Sequence, residues 1–158
     1  MQARDAPFVA PLLQGVKHTD ESMDQLIQET SAFFNRHWYG ELPVPEWNFD
    51  WNWKGPVPNY LLGGLYALFS DESLVYIGLG RSSVARGISA RLESHVLAIS
   101  GEGDSYGYVS QEKWKRLGVN RLATIGFPPE FSYLSPALED YLIGRLKPSA
   151  NSVGKSIA

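Results

Sequence analysis

The run Gly63-Gly64-Leu65-Tyr66-Ala67-Leu68-Phe69-Ser70, followed after Asp71-Glu72-Ser73 by Leu74-Val75-Tyr76-Ile77-Gly78-Leu79-Gly80, decides how the chain is read. Two apolar segments of strand length around a short polar turn signal a β-hairpin. Strands are therefore expected over 62–69 and 74–78, with Tyr66 and Tyr76 on neighbouring strands and their phenols able to converge on one patch. A single tyrosine in a strand is ordinarily a packing residue. The pair carries more weight because Gly64 stands before one tyrosine and Gly78 after the other, and glycine permits close approach of a backbone or a ligand.

Downstream, a loop carrying Arg81 and Arg86 leads to Ile88, Leu92, Val96 and Ile99, which are spaced for a helix over about 88–99. Arg91 and His95, four residues apart, share a face at the edge of that apolar stripe. The segment 101–108 reads as a flexible loop, 111–118 as a short helix ending at Gly118, and 121–127 as a third strand closed by Pro128-Pro129. Ser135-Pro136 suits a helix start, with serine as the N-cap and proline in the first turn. Leu138, Leu142 and Leu146 form its stripe, Glu139 lies beside them, and Pro148 ends it. The expected fold is α/β of the α+β kind: a three-stranded antiparallel sheet flanked by helices.

Upstream, Pro7 and Pro11 argue against a helix interior in the first eighteen residues. From Thr19 a helix is expected over about 20–36. Thr19 can cap it, Asp20, Glu21 and Asp24 suit its positive end, and Met23, Leu26, Ile27, Phe33 and Phe34 are its apolar positions. The stretch 38–60 holds Trp38, Trp47, Trp51 and Trp53 among four prolines. Such a segment could stack unpaired bases. Lys54 is its only cation, however, which favours a strap packed on the domain. Residues 1–59 thus read as a helical and aromatic extension, and 60–158 as the core.

The 158 residues suit one domain, and 44% hydrophobic with 20% charged content is that of an ordinary globular protein. No apolar run is long enough to span a bilayer, and the first residues lack the pattern of a secretory signal, so a cytoplasmic protein is expected, with delivery by a secretion system still open. The absence of cysteine removes disulfides, thiolate nucleophiles and cysteine-ligated zinc. The net charge of −3 divides unevenly: residues 1–59 carry 4 basic and 8 acidic side chains, and residues 60–158 carry 10 and 9. Between Arg81 and Arg121 the balance is 7 basic to 4 acidic. Local positive potential is what captures phosphates, which makes Arg81, Arg86, Lys113, Lys115 and Arg116 candidates for DNA contact. The acidic N-terminal region could instead face a protein partner or inhibitor.

Taken singly, Arg91 and His95 suit a helix surface, Glu139 a helix N-terminus, and Asn151 a turn. In order, the positions resemble the GIY-YIG nuclease family. Gly64-Leu65-Tyr66 is similar to its first motif, with leucine for isoleucine, and Tyr76-Ile77-Gly78 to its second without change. Arg91-Leu92 with His95 resembles its catalytic helix, Ala137 to Ile143 its metal-binding glutamate segment, and Lys147 to Asn151 its terminal asparagine segment. The likeness covers residues 63–151. It implies a catalytic set of Tyr66, Tyr76, Arg91, His95, Glu139 and Asn151, with Glu139 holding magnesium or, in its place, manganese.

The activity so implied is divalent-metal-dependent cleavage of DNA. The excision-repair branch has long extra domains, the structure-specific branch needs cysteines, and the homing branch has a basic recognition region. A small stand-alone enzyme is expected instead, restriction-like or toxin- and effector-like. Tyr66 is implied as the group that activates water. A free phenol, with a pKa of about 10, is only about one part in a thousand ionised at neutral pH, so such a role requires lowering it by about 3 units. His95 could take the proton instead. Tyr76 would orient phosphate or water, and Asn151 would brace the site. The rival readings are a non-catalytic nucleic-acid-binding module and a protein-interaction domain on the same scaffold.

Overall fold

A computed structural model describes residues 6–81, 86–101 and 106–151, with 6–21 as backbone alone. The hairpin forms the centre of the molecule. Strand β1 (Gly64–Ser70) pairs antiparallel with β2 (Ser73–Gly80) on one side and with β5 (Arg121–Gly126) on the other, giving the order β2-β1-β5. Asn48 and Thr124 exchange backbone hydrogen bonds of 2.8 and 3.1 Å, so the strap covers the outer edge of β5. Strand β2 is the other edge.

Side chains alternate across the sheet as strand geometry requires. Leu65, Ala67, Phe69, Ile77, Ala123 and Ile125 share a core with Leu26, Phe33 and Phe34 of helix α1 (Ala6–His37) and Leu138, Leu142 and Ile143 of helix α4 (Ser135–Leu146). On the opposite face, Tyr66, Leu68 and Leu122 pack with Ile88 and Leu92 of helix α2 (Gly87–His95) and Trp114 of helix α3 (Glu112–Arg116). The structure is thus mixed α/β, a three-stranded antiparallel sheet between two helical layers. Among the described residues, no helix is long and apolar enough to cross a membrane.

The aromatic strap packs on this frame. Trp38 lies 4.4 Å from Phe131 between ring centres, Phe49 lies 6.2 Å from Phe69, and Trp51 stacks on Trp53 at 5.2 Å. The Trp47 indole N–H donates to the Thr30 hydroxyl at 2.8 Å. Since Leu26, Phe33 and Phe34 complete the main core, α1 is built into the fold rather than appended to it.

Several sequence expectations are corrected. Helix α1 begins at Ala6, so Thr19 does not cap it, and Asp20, Glu21 and Asp24 lie within the helix rather than in its first turn. Pro7 falls in that first turn, where an N–H has no intrahelical acceptor to lose, and Pro11 removes one bond from a long ladder. Ile27 is 44% exposed rather than buried.

Helix α2 stops at His95 instead of continuing to Ile99. Leu97–Ser100 forms strand β3, paired with β4 (Gly107–Ser110) in a separate two-stranded ribbon. Ile99, the expected last member of the helical stripe, is 68% exposed. Of the expected loop, Gly107 and Tyr108 belong to β4, and residues 102–105 lie outside the described residues. Ser135 is inside α4 rather than capping it, because a 3₁₀ helix (Pro129–Leu134) runs directly into that helix. Its hydroxyl donates to the Ser132 carbonyl at 2.7 Å.

Candidate functional site

Helices α2 and α4 cover opposite faces of the sheet and both reach the edge strand β2. Between them lies a cleft of about 550 Å³ lined by Tyr76, Leu79 and Arg81 from β2 and the residue after it, Gly87, Ala90, Arg91 and Ser94 from α2, and Glu139 from α4. Glycine permits the close approach of α2. A Cβ at Gly80 would stand 2.6 Å from the Ile88 Cα.

The two tyrosines depend on the second motif glycine. In register, Tyr66 faces Gly78, and a Cβ at Gly78 would overlap the hydroxyl end of the Tyr66 ring. The ring occupies the place a side chain would take, which leaves it 6.1 Å from the Tyr76 ring at a tilt of 38°. Tyr76 in turn packs on Trp114 at 4.9 Å. The Trp114 indole N–H donates to the His95 carbonyl at 2.8 Å. Tyr76 lines the cleft, whereas Tyr66 lies behind it at 1% exposure.

Burial pushes the Tyr66 phenol well above its ordinary pKa; neighbouring Tyr76 adds to the rise, and the Glu139 charge contributes in the same sense. Arg91 opposes it through its charge and a hydrogen bond. Tyr76 is also raised, mainly by burial, with Arg91 pulling down and Glu139 pushing up. Arg91 has the sign that favours an ionised phenol, but among the chain's own groups burial outweighs it at both tyrosines. With the chain's own groups alone, both tyrosines are protonated hydrogen-bond donors at neutral pH.

Asn151 is buried and grips the free edge of β2. Its side-chain oxygen accepts from the Ile77 N–H at 2.7 Å, and its amide donates to the Ile77 carbonyl at 2.9 Å. The side chain thereby substitutes for a further strand at the residue between Tyr76 and Gly78, satisfying edge groups that would otherwise be buried without partners.

The remaining candidates divide. His95 is exposed in the last turn of α2 and does not line the cleft, because the lining face is formed by residues 87, 90, 91 and 94. Arg81 does line it. Arg86 lies on another flank of α2, joined to Glu93 by two hydrogen bonds of 3.1 and 2.8 Å. Lys113 sits 4.7 Å over the Trp114 ring, Arg116 pairs loosely with Glu112 at 3.7 Å, and Lys115 is exposed beside them. Ser94 and Ala90 were not singled out by sequence, although Ser94 stands three residues after Arg91 and Ala90 four before Ser94, spacings that share a helix face. Trp114 was missed because nothing local distinguishes a tryptophan packed under Tyr76 from one packed elsewhere.

Among the described residues no three His, Asp or Glu side chains converge, and the carboxylate that lines the cleft is Glu139. A single carboxylate is a hard oxygen donor, compatible with a magnesium- or manganese-type ion and not with a nitrogen- and sulfur-ligated zinc cage. Compared with known protein families, curated proteins and solved structures, the chain matches none.

Proposed function

We propose that the chain is a divalent-metal-dependent endonuclease that hydrolyses DNA phosphodiester bonds, of a restriction-like or effector-like kind, with the β2-edge cleft as its active site. The observation that carries this reading is the meeting of Tyr76, Arg81, Arg91 and Glu139 in one open cleft. Two guanidiniums and a phenol are donors for phosphate oxygens, and a carboxylate beside them is the complementary metal ligand.

Arg91 clamps the scissile phosphate and Arg81 holds a neighbouring phosphate. Glu139 would hold the metal, which would supply positive charge to offset the negative charge developing on the phosphate. Tyr76 hydrogen-bonds the phosphate or the attacking water directly. Tyr66 stands behind Tyr76 and keeps it aligned, with Arg91 shared between the two phenols. Asn151 positions Tyr76 by fixing the main chain at Ile77. His95 reaches the reaction through its carbonyl, which holds the Trp114 indole against Tyr76.

Incubation of supercoiled plasmid with the protein in magnesium, against the same mixture in EDTA, tests the reading. Nicking or linearisation in magnesium alone is expected. Intact plasmid in both, despite measurable DNA binding, would leave a nucleic-acid-binding module. Sequencing the product ends separates a restriction-like enzyme from a nonspecific one.

A further inference from the structure

A second cleft, of about 220 Å³, lies on another flank of α2 and has no part in the chemistry above. Its walls include Pro56, Tyr60, Tyr106 and Tyr108, together with Arg86 and Glu93. Tyr60 and Tyr106 are 40% and 41% exposed, so both rings are presented to solvent. The walls are held from behind. The Ser89 N–H of α2 donates to the Tyr60 carbonyl at 3.0 Å, and the Tyr108 N–H to the Trp53 carbonyl at 2.8 Å. The Tyr108 ring packs on Trp51 at 5.6 Å and meets Tyr106 edge-on at 6.0 Å. A fixed aromatic wall costs little further ordering when a ligand settles on it.

The polar groups of the cleft are unequal in what they have left to offer. Both Glu93 oxygens accept from Arg86, at 3.1 and 2.8 Å, and one of them also accepts from the Ser89 hydroxyl at 3.4 Å. The carboxylate has thus filled three of its roughly four acceptor sites, while Arg86 has used two of its five donors. Tyr106 and Tyr108 are hydrogen-bonded to each other, which leaves one hydroxyl proton of that pair to point outward. Tyr60 adds a third hydroxyl. The cleft therefore favours a ligand that accepts hydrogen bonds and brings few donors of its own. The Arg86–Glu93 pair carries no net formal charge, so the ligand it complements is uncharged as well, which disfavours phosphate.

We propose that this cleft docks an uncharged proline-rich segment of a partner protein in the polyproline II conformation. An ordinary peptide brings one N–H per residue, and each would need an acceptor that the cleft has already spent. Proline has no N–H, so a run of prolines offers carbonyl acceptors and apolar rings alone. The rings lie on the tyrosine faces, and the carbonyls accept from the tyrosine hydroxyls and from the remaining Arg86 donors. Polyproline II is largely formed before binding, and aromatic-lined grooves are the surfaces that receive it. Nucleobases fit less well, because each carries N–H donors that Glu93 can no longer take. The proposal stands apart from the nuclease reading.

The test is fluorescence anisotropy with labelled, end-capped decaproline, compared with a labelled glycine–serine peptide of the same length. Decaproline is expected to bind the native protein roughly tenfold tighter, since it is both preordered and free of N–H donors. Tyr60→Ala and Tyr106→Ala should each weaken it about fivefold or more, the cost of truncating an aromatic anchor. Tyr106→Phe keeps the ring and should retain most of the affinity. Both tyrosines are substantially exposed, so the variants should fold, which circular dichroism checks. Equal binding of the two peptides by the native protein, or undiminished decaproline binding in both alanine variants, would overturn the proposal. Oligothymidylate bound more tightly than decaproline, and released by Tyr106→Ala, would overturn it too and make the cleft a nucleic-acid surface. Plasmid cleavage is scored separately: cleavage without decaproline binding sinks only this docking site, and decaproline binding without cleavage sinks only the nuclease reading.

Discussion

Asn151 and Ile77, 74 residues apart, are joined by two hydrogen bonds, with the asparagine amide both accepting from and donating to the Ile77 main chain. This one contact ties the segment after α4 to the strand that carries Tyr76. It fixes the cleft from outside the sheet, and its removal leaves two main-chain groups in a buried place.

Asn151→Ala should lower stability by about 1–3 kcal/mol, the usual cost of leaving buried polar groups without partners. Asn151→Asp should be intermediate, since a carboxylate still accepts from the Ile77 N–H but cannot donate to its carbonyl. Thermal melts measure this, and an Asn151→Ala melt matching the native protein would remove the contact from the fold's determinants. Cleavage should fall in the same order as stability.

Gly78→Ala should disturb Tyr66, because the added methyl group would enter the space of its ring. Overpacking of this kind costs about 1–3 kcal/mol. Shrinking the ring by Tyr66→Ala should make the glycine substitution nearly neutral, so the two changes should be strongly non-additive in a double-mutant cycle. Additive losses would show that the ring and the glycine do not share that space.

Both phenols stand above their ordinary pKa, Tyr66 chiefly through burial and Tyr76 likewise. If a phenolate accepts the proton from water, cleavage at saturating magnesium should rise about tenfold per pH unit between neutrality and pH 9, because the ionised fraction grows by that factor below the pKa. A plateau centred near the ordinary histidine range would point to an imidazole instead. Tyr76→Phe is expected to flatten the rise, since Tyr76 faces the cleft. Flattening by Tyr66→Phe alone would assign the base to the enclosed ring. The same shifts bear on stability. A folded phenol held protonated contributes fully below about pH 10, where the unfolded chain titrates, and its contribution is lost as pH climbs towards the folded value.

The hairpin, the third strand and the glutamate helix were legible because their signals are local: alternation around a polar turn, and a leucine stripe ended by Pro148. The ribbon β3-β4 was not, because Ile88, Leu92, Val96 and Ile99 continue one helical period across the place where α2 ends. What ends it is tertiary: the Gln111 N–H donates to the Val96 carbonyl at 2.7 Å, and β3 pairs with β4. The N-terminal half of α1 was obscured by prolines whose effect depends on where the helix begins. At the site, sequence order named Tyr76, Arg91 and Glu139, which line the cleft, together with His95 and Asn151, which do not, and it gave no sign of the enclosure of Tyr66, which follows from helices α2 and α3 packing on that face.

Glu139→Ala should abolish magnesium-dependent cleavage with the circular dichroism spectrum unchanged, because Glu139 is partly exposed and is not in the core. Near-native cleavage by the folded variant would remove it from the mechanism. Arg91→Lys should also be severe, since an ammonium cannot hold phosphate with two parallel bonds.

Charge along the chain bears on DNA binding apart from chemistry. Lys113, Lys115 and Arg116 are on α3, whose Trp114 backs Tyr76, so on the proposed reading they would add phosphate contacts beside the cleft. None of the three is held tightly: Lys113 rests on an indole, and the Arg116–Glu112 contact of 3.7 Å joins two side chains that are mostly exposed. Reversing all three charges should weaken DNA binding and reduce the steepness of its salt dependence, because each lost phosphate contact releases about 0.9 fewer counterions. Neutralising Asp20, Glu21 and Asp24 should leave binding unchanged or slightly stronger, as residues 1–59 carry 8 acidic against 4 basic side chains. Titrations at several salt concentrations read both effects. Weaker binding after the acidic substitutions would place DNA on the N-terminal helix instead, and would contradict the assignment of the phosphate-binding face to residues 81–121.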